Sequence, residues 1–156
     1  MAKKIVLAVG LPGSGKSTYF KKRGIVPLSS DWLRVVLADD ATEQRFQKWI
    51  FMALRYLLRL RLALGRHVSY IDATNLTRPE RRHYFRIAKR YGCEVEAVYF
   101  DAPLEVCQRR NRARGRRVPE EAMLRLAARL CPPTLAEGFR RITTVHADGR
   151  TTTVVA

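Results

Sequence analysis

The chain is poor in acidic residues and in cysteine, and it has no long apolar run. Its 14 Asp and Glu stand against 30 Lys and Arg, and its three cysteines are odd in number and widely spaced. Such cysteines fit neither a disulfide framework nor a zinc site, so we expect a protein of the reducing cytoplasm. No apolar run approaches the ~20 residues of a membrane span, and a membrane protein is therefore not expected. The short apolar run after Lys4 imitates a signal peptide, but it ends in a glycine-rich segment instead of a cleavage site.

The excess of positive charge narrows the class of partner. The formal net charge is +16, and 23 of the 30 cationic residues are arginine, the side chain best shaped for bidentate phosphate contacts. A surface of this charge favours polyanions such as nucleic acid, or an anionic membrane surface. A high arginine content can also reflect only the base composition of a genome. The length of 156 residues and the 47% hydrophobic content predict a single folded domain over residues 1–156.

One segment, Gly10–Thr18, matches the pattern G-x-x-x-x-G-K-[ST] at every fixed position. This pattern is typical of the phosphate-binding P-loop, in which backbone N–H groups turn inward around an anion. An apolar run over Ile5–Val9 precedes it as a buried strand, and Lys16–Lys22 follows it as a helix. A glycine-rich turn can match by chance, but strand, loop and helix stand here in the required order. We expect ATP or another nucleoside triphosphate at Gly13, Ser14, Gly15, Lys16, Ser17 and Thr18, with Lys16 reaching the β/γ-phosphates and Ser17 binding Mg²⁺.

Strands and helices alternate along the rest of the chain. Further strands are predicted at 25–28, 67–72, 94–100, 140–146 and 150–154, the last two as a hairpin. Helices are predicted from Ser29 onward, with Ser30 or Asp31 as the N-cap, and over 42–64, 77–91, 103–112 and 119–130. The helix at 42–64 carries an apolar stripe that we interpret as core. This order predicts an α/β fold of the P-loop NTPase type, with a parallel β-sheet core flanked by helices and the nucleotide at the carboxyl ends of the strands.

Asp31 lies one short βα unit beyond the P-loop, where its carboxylate could point toward the γ-phosphate. A carboxylate in that position can orient an acceptor hydroxyl and take its proton as a general base. It could equally serve only as the cap of its helix. Arg34 follows three residues later and hence on the same helical side, where it could hold a phosphate of the substrate or simply be solvated.

Asp72 ends an apolar strand, as does the Walker B acid that holds Mg²⁺ directly or through water. A strand-ending Asp is also a common turn residue, and both interpretations stay open. Thr74 and Asn75 follow it and could contact substrate or only close the turn.

An arginine-rich run, residues 109–117, holds six arginines and no acid. Within it Arg110 and Arg114 are four residues apart and share a face of a helix. An arginine-bearing lid can close over a triphosphate, stabilise the charge that develops during transfer and exclude water. A basic run is more often a solvated face, but in a P-loop chain its position favours a lid.

Together these segments resemble the 5′-kinase domain of polynucleotide kinases, the family of the bacteriophage end-healing enzyme and its bacterial and animal relatives. The matching segments are Gly10–Thr18, Ser30–Arg34, Asp72–Arg82, Ala88–Gly92, Arg110–Gly115, Val118–Pro119 and Pro133–Phe139. Two features depart from the pattern. Asp72 lies one residue before the acid of the phage sequence Asp-Thr-Asn, and the lid is one residue shorter between Gly115 and Val118.

The resemblance implies transfer of the ATP γ-phosphate to the 5′-hydroxyl end of DNA or RNA. It implies that Asp31 is the general base and that Arg34, with Thr74 beside it, holds the 3′-phosphate of the terminal nucleotide. It also implies that Lys16 and Ser17 are the P-loop lysine and the metal-binding hydroxyl, and that Arg110 and Arg114 engage the triphosphate. We expect Lys16, Asp31 and Arg114 to act in catalysis and Ser17 and Asp72 to bind Mg²⁺.

Two other functions remain open from the sequence. One is a kinase of similar architecture that acts on a small molecule such as a nucleoside, sugar or antibiotic. The other is a nucleic-acid-binding NTPase that transfers no phosphate to an acceptor. If a nucleic-acid strand is the acceptor, we expect it to lie along the helix at 78–90 and the lid.

Overall fold

The computed structural model describes residues 2–115 and 118–156. Its strands are β1 (Lys4–Val9), β2 (Leu28–Ser29), β3 (Val68–Asp72), β4 (Glu94–Asp101), β5 (Arg141–His146) and β6 (Thr151–Val155). Its helices are α1 (Lys16–Lys22), α2 (Ser30–Ala38), α3 (Gln47–Ala63), α4 (Arg78–Tyr91), α5 (Leu104–Arg112) and α6 (Glu120–Arg129), with a 3₁₀ turn at Leu135–Glu137.

The strands of the described part form one sheet in the order β2-β3-β1-β4-β5-β6. Every pairing is parallel except that of β5 with β6, which is antiparallel. β1 is an interior strand, because it pairs with β3 on one side and with β4 on the other. The P-loop follows the carboxyl end of β1 and therefore lies above the middle of the sheet. The structure thus confirms the predicted α/β fold, with its mostly parallel sheet and terminal hairpin.

The two faces of the sheet are covered by different helices. Alternate residues of β1 point to opposite faces, as the pleat of a strand requires. Ile5, Leu7 and Val9 belong to a large cluster that includes α3, α4 and Leu33 of α2. Val6 and Ala8 belong to a smaller cluster around Phe20 of α1. Helices therefore flank the sheet on both sides, and the P-loop joins the two layers.

The start of α2 differs from the prediction in a way that matters for the site. Its N-cap is Ser29, whose Oγ accepts a hydrogen bond from the backbone N–H of Trp32 at 3.2 Å. The predicted caps, Ser30 and Asp31, lie inside the first turn instead. The interpretation of Asp31 as the helix cap is therefore wrong, because Ser29 already fills that role.

Helix α3 begins at Gln47, later than the sequence predicts. The Oδ1 atom of Asp40 accepts hydrogen bonds from the backbone N–H of Thr42 at 2.8 Å and from its hydroxyl at 2.7 Å. Glu43 accepts in the same way from the backbone of Arg45. These local side-chain bonds satisfy the backbone in a turn conformation and so compete with a first helical turn.

No helix of the described ranges combines the length and apolar content needed to cross a bilayer. The three cysteines, Cys93, Cys107 and Cys131, are free thiols. Cys107 is buried with Leu11, Leu76 and Met123 in a third apolar cluster. This cluster packs α5 and α6 against the P-loop end of the sheet and so fixes the base of the predicted lid.

Candidate active site

The P-loop is shaped by two glycines with positive φ, Gly13 at +81° and Gly15 at +105°. A side chain is strained at either angle. At Gly13 space also forbids one, because a Cβ would lie 2.6 Å from the carbonyl oxygen of Cys107 in α5. Gly15 is the N-cap of α1, so the loop directs the N-terminal N–H groups of this helix into the cleft. This arrangement suits an anion such as a phosphate.

The side chain of Lys16, the positively charged residue of the P-loop, is buried within the loop. Its Nζ donates hydrogen bonds to the carbonyl oxygens of Gly10 at 2.9 Å and Leu11 at 2.8 Å. Burial lowers the pKa of Lys16 from its ordinary 10.5 to about 8, although the carboxylates of Asp72 and Asp31 oppose the change. The ammonium is thus desolvated, and a desolvated cation interacts strongly with an incoming phosphate.

Asp72 and Ser17 lie together beside the P-loop. Ser17 Oγ donates to Asp72 Oδ2 at 3.4 Å. Burial raises the pKa of Asp72, and the carboxylate of Asp31 raises it further, against the lowering effects of Lys16 and of the bond from Ser17. A partly buried carboxylate with an acidic neighbour and an adjacent hydroxyl is a donor set that fits Mg²⁺, a cation that prefers oxygen ligands.

A bound Mg²⁺ would take few ligands from the protein. Within residues 2–115 and 118–156, no group of three or more His, Cys, Asp or Glu side chains could hold a metal ion. Ser17 and Asp72 would therefore share the ion with phosphate oxygens and water, which is the usual coordination of Mg²⁺ at nucleotide sites.

Asp31 lies on the wall of the same cavity as Lys16 and Asp72. The pairing of Ser29 in β2 with Asp72 in β3 brings the start of α2 beside the P-loop. The Asp31 carboxylate accepts a hydrogen bond from Arg34 Nη1 at 3.0 Å, and about half of its side chain is exposed. The structure thus brings Asp31 and the P-loop lysine to one cavity, and their roles as base and phosphate ligand remain predictions.

Arg34 lies behind Asp31 and does not line the cavity. Its side chain is 8% exposed, and its Nη2 donates to Gln47 Oε1 at the start of α3. In this position Arg34 orients the Asp31 carboxylate and links α2 to α3. Its predicted contact with a substrate phosphate remains a prediction.

Thr74 and Asn75 tie the end of β3 to the start of the P-loop. The Thr74 carbonyl accepts from the backbone N–H of Gly10 at 3.0 Å. Asn75 is buried with a positive φ of 48°, and its Nδ2 donates to the carbonyl of Ala8 at 2.7 Å. Thr74 is absent from the cavity wall of the described chain, so its role as a substrate ligand also remains a prediction.

Arg81, for which the sequence predicted no role, stabilises the segment that follows β3. It is fully buried and donates to the carbonyls of Asn75 at 2.9 Å and Leu76 at 3.0 Å. The same guanidinium forms a two-pronged ion pair with Glu137, at 2.9 and 3.0 Å. The signal in the sequence is indirect, because an arginine on the apolar face of an amphipathic helix needs a buried partner.

Arg110 and Arg114 both line the cavity. Arg110 Nη1 donates to the carbonyl of Gly13 at 3.4 Å, and the positive charge of Arg114 contributes to lowering the pKa of Lys16. α5 ends at Arg112, so Arg114 reaches the cavity from beyond the helix and not from its surface. Of the predicted lid run, Arg116 and Arg117 lie outside the described residues.

The far wall of the cavity comes from residues that the sequence did not indicate. Besides the P-loop, the lid and the two acids, the cavity of 750 Å³ is lined by Tyr19, Lys22, Arg23, Phe100, Val145, His146, Ala147, Gly149 and Thr151. The Tyr19 ring packs edge-on against Phe100 at 5.3 Å, and the guanidinium of Arg23 lies 3.6 Å from the centre of the Tyr19 ring. A cavity of this volume accommodates a nucleotide, and its aromatic and polar wall suits the base and ribose.

Comparison with known proteins gives a family assignment and a distant relative. The family model described as an AAA domain, AAA_33, matches residues 5–133. The chain is 27% identical over 126 residues to the L-seryl-tRNA(Sec) kinase of Methanococcus maripaludis, and the alignment covers 76% of this chain and 49% of that protein. The chain thus spans about half the length of this curated relative.

Solved structures agree on the fold. A chain in the structure of the Pnkp1/Rnl/Hen1 complex is similar with 26% identity and a TM-score of 0.56, covering 67% of this chain and 37% of the other. A gluconokinase from Sinorhizobium meliloti 1021 is similar with 21% identity and a TM-score of 0.61, covering 93% and 82%. The gluconokinase likeness shows the fold alone. Together with the family match, these structures show the α/β fold of the P-loop kinases.

Proposed function

The chain belongs to the AAA_33 family of AAA domains, and from this premise we propose that it is an ATP-dependent kinase that phosphorylates the 5′-hydroxyl end of a polynucleotide. The observation that carries the proposal is the position of Asp31. Its carboxylate lies on the cavity wall with Lys16 and Asp72 and is oriented by Arg34. Because Ser29 caps the helix, Asp31 is explained better as a base for an acceptor hydroxyl than as a structural residue.

The proposed reaction assigns a task to each group in the cleft. The backbone N–H groups of the loop and Lys16 bind the β- and γ-phosphates of ATP. The Asp31 carboxylate accepts the proton of the 5′-hydroxyl while that oxygen forms a bond to the γ-phosphorus and the bond to the β–γ bridging oxygen breaks. Arg110 and Arg114 stabilise the negative charge on the transferred group.

The donor and metal are part of the same proposal. Ser17 and Asp72 would hold Mg²⁺, which supplies charge neutralisation at the phosphate oxygens. ADP is the leaving group, and Lys16 and the lid arginines balance the negative charge that develops on its β-phosphate.

The charge of the chain supports a nucleic-acid acceptor over a small molecule. A net charge of +16 attracts polyanions over long distances, which a neutral acceptor does not need. One relative points to RNA by name, the L-seryl-tRNA(Sec) kinase.

The second candidate is a kinase for a small acceptor, favoured by the cavity wall itself. Arg34 and Thr74, which the resemblance assigns to a nucleotide 3′-phosphate, do not line the cavity. A small polyol or nucleoside would need neither contact. The third candidate, a nucleic-acid-binding NTPase, would need no base at Asp31.

Transfer from γ-³²P-ATP to a panel of acceptors separates the three candidates. The panel holds a 5′-hydroxyl oligonucleotide, a 3′-mononucleotide, a free nucleoside and a hexose. We expect label on the oligonucleotide, and we expect Asp31→Asn to lower its turnover by at least about 100-fold, the usual contribution of a general base, with ATP affinity nearly unchanged. Asp39→Asn is the matched control, since Asp39 is the exposed C-cap at the other end of α2. Wild-type turnover in Asp31→Asn, or label only on the small acceptors, would contradict the proposal.

A further inference from the structure

The outer surface of α2 and α3 exposes aromatic side chains to an unusual degree. The chain has two tryptophans, and both are exposed here, Trp32 to 57% and Trp49 to 61%, with Tyr56 at 60%. Aromatic residues are normally among the side chains that dominate cores and interfaces. A group of exposed aromatic side chains on adjacent helices indicates a surface that binds a ligand or a macromolecular partner.

On α3 the exposed apolar residues form a continuous stripe opposite the core. The core side of the helix carries Ile50, Leu54, Leu58 and Leu62, all buried. The outer side carries the members of the stripe, which recur every three or four residues: Trp49, Met52, Tyr56, Leu60 and Leu64. At 1.5 Å per residue the stripe is about 22 Å long. We refer to this stripe together with Trp32 as the aromatic face.

The cations beside the aromatic face have no acidic residues to balance them on their own helix. Lys48, Arg55 and Arg59 run along one side of the stripe, and α3 contains no Asp or Glu. The neighbouring helix α4 continues the positive surface with arginines at every fourth position: Arg78, Arg82, Arg86 and Arg90. The cations of α3 and α4 lie close enough to affect the same residue, His83. Burial lowers the pKa of His83, and the charges of Arg55 on α3 and Arg86 on α4 lower it further.

One member of the aromatic face, Trp32, lies next to the proposed base. Trp32 follows Asp31 directly, in the first turn of α2. Arg34 then connects the two helices, because it bonds to Asp31 and to Gln47 at the start of α3. A polynucleotide whose 5′ end lies at Asp31 must leave the cleft over a neighbouring surface, and this surface begins one residue away.

We propose that the aromatic face of α2 and α3 binds the single-stranded part of the acceptor, with bases on Trp32, Trp49 and Tyr56 and phosphates on Lys48, Arg55 and Arg59. This inference rests on the proposed function. Stacking of bases on aromatic side chains within a positive groove is how proteins hold single strands without reading their sequence. A stripe of about 22 Å is long enough for only a few extended nucleotides.

Other occupants fit the surface less well. The arginine row of α4, along which the sequence suggested the nucleic-acid strand, has the positive charge that phosphates need. However, no large apolar side chain of α4 is exposed in the described chain. A second copy of the protein would bring another +16 charge and another α3 without acids against this one. A partner protein would need an acidic, amphipathic surface.

Acceptor length provides the test. We expect KM for 5′-hydroxyl oligodeoxynucleotides to fall from the 3′-mononucleotide to about four or five nucleotides and then to level off, with kcat unchanged. We expect Trp49→Ala/Tyr56→Ala to raise KM for a 12-mer on the order of 100-fold, or about tenfold for each stacking residue lost, while the kinetics with the 3′-mononucleotide stay at the wild-type level. Leu124→Ala, which truncates an exposed apolar residue on α6, is the control and should leave both acceptors unaffected.

The charges are tested in the same assay. Arg55→Gln/Arg59→Gln should raise KM for the 12-mer and reduce its dependence on salt, whereas Arg82→Gln/Arg86→Gln removes equal charge from α4 and should act less. A larger effect of the α4 variant would overturn the proposal in favour of that helix.

The remaining outcomes separate this inference from the proposed function. If the mononucleotide and the 12-mer are phosphorylated with the same KM and the α3 variants behave as wild type, the kinase assignment stands and the aromatic face is refuted. If no acceptor is labelled, fluorescence anisotropy of a labelled 12-mer tests the surface alone, and equal affinity of wild type and Trp49→Ala/Tyr56→Ala refutes it. A wild-type dimer that this double variant converts to monomer, seen by light scattering, would assign the face to a second copy instead.

Discussion

Replacing Lys16 with methionine should change how the stability of the protein depends on pH. The pKa of this lysine falls from 10.5 to about 8 in the folded protein because burial strips water from its ammonium. One pKa unit corresponds to about 1.4 kcal/mol, so keeping Lys16 protonated costs the folded state about 3 kcal/mol. The cost applies in full below pH 8. It disappears as the pH rises from 8 to 10.5, because the unfolded chain then holds a proton that the folded chain has released.

The sign of the effect follows from this linkage. Between pH 8 and 10.5 the wild type should gain about 3 kcal/mol in the free energy of unfolding relative to Lys16→Met. Guanidinium unfolding of both proteins at half-unit steps from pH 7 to 10.5 measures the difference, in which titrations elsewhere cancel. Lys21→Met serves as the control for loss of a cation, because Lys21 is an exposed residue of the same helix. A difference between wild type and Lys16→Met that is flat across this range would refute the desolvation of Lys16 and the P-loop geometry that causes it.

Two further substitutions test the support of the site. Gly13→Ala should abolish ATP binding in isothermal titration and lower thermal stability, because its Cβ would meet the Cys107 carbonyl at 2.6 Å in a strained backbone; unchanged ATP affinity would show that the loop adapts. Arg81→Met should lower the free energy of unfolding by about 3–5 kcal/mol, since it leaves the largely buried carboxylate of Glu137 without its cationic partner and with only the backbone N–H of Thr134 as a donor. A loss below about 1 kcal/mol in urea unfolding would mean that Glu137 finds water or another donor.

Features that depend on neighbouring residues in the chain were predictable from the sequence. The P-loop requires glycines, a lysine and a hydroxyl at fixed spacing, and its strand and helix adjoin it, so the sequence predicts that Gly13 through Thr18 form one site, and all six line the cavity. The start of α4 was equally local, with Thr77 as the cap and Pro79 in the first turn. The cap of α2 was missed by one residue because Ser29, Ser30 and Asp31 are all good caps, and the choice among them depends on where β2 ends.

The lining of the cavity could not be predicted in the same way, because it depends on residues far apart in the sequence. Tyr19 and His146 share a wall only because β5 pairs with β4 and places the terminal hairpin beside α1. The bonds of Arg34 to Asp31 and to Gln47 were equally unpredictable, because they depend on how α2 packs against α3.

Helix α3 shows the same division between local pattern and packing. Its apolar residues recur on more than one side, so periodicity alone predicted a core stripe without excluding a second apolar side. Docking of the helix on the sheet buried Ile50, Leu54 and Leu58 and left Trp49 and Tyr56 in solvent.

The sequence by itself determined that this chain has a phosphate-binding loop, because that chemistry needs only a short, contiguous segment. The sequence left open whether Asp31 caps its helix or faces the loop, and the tertiary structure alone decided that it lies beside the loop, because the pairing of Ser29 with Asp72 brings the start of α2 across to β3. Contacts between distant segments depend on the energy of the whole packed arrangement, which no single segment of the sequence contains.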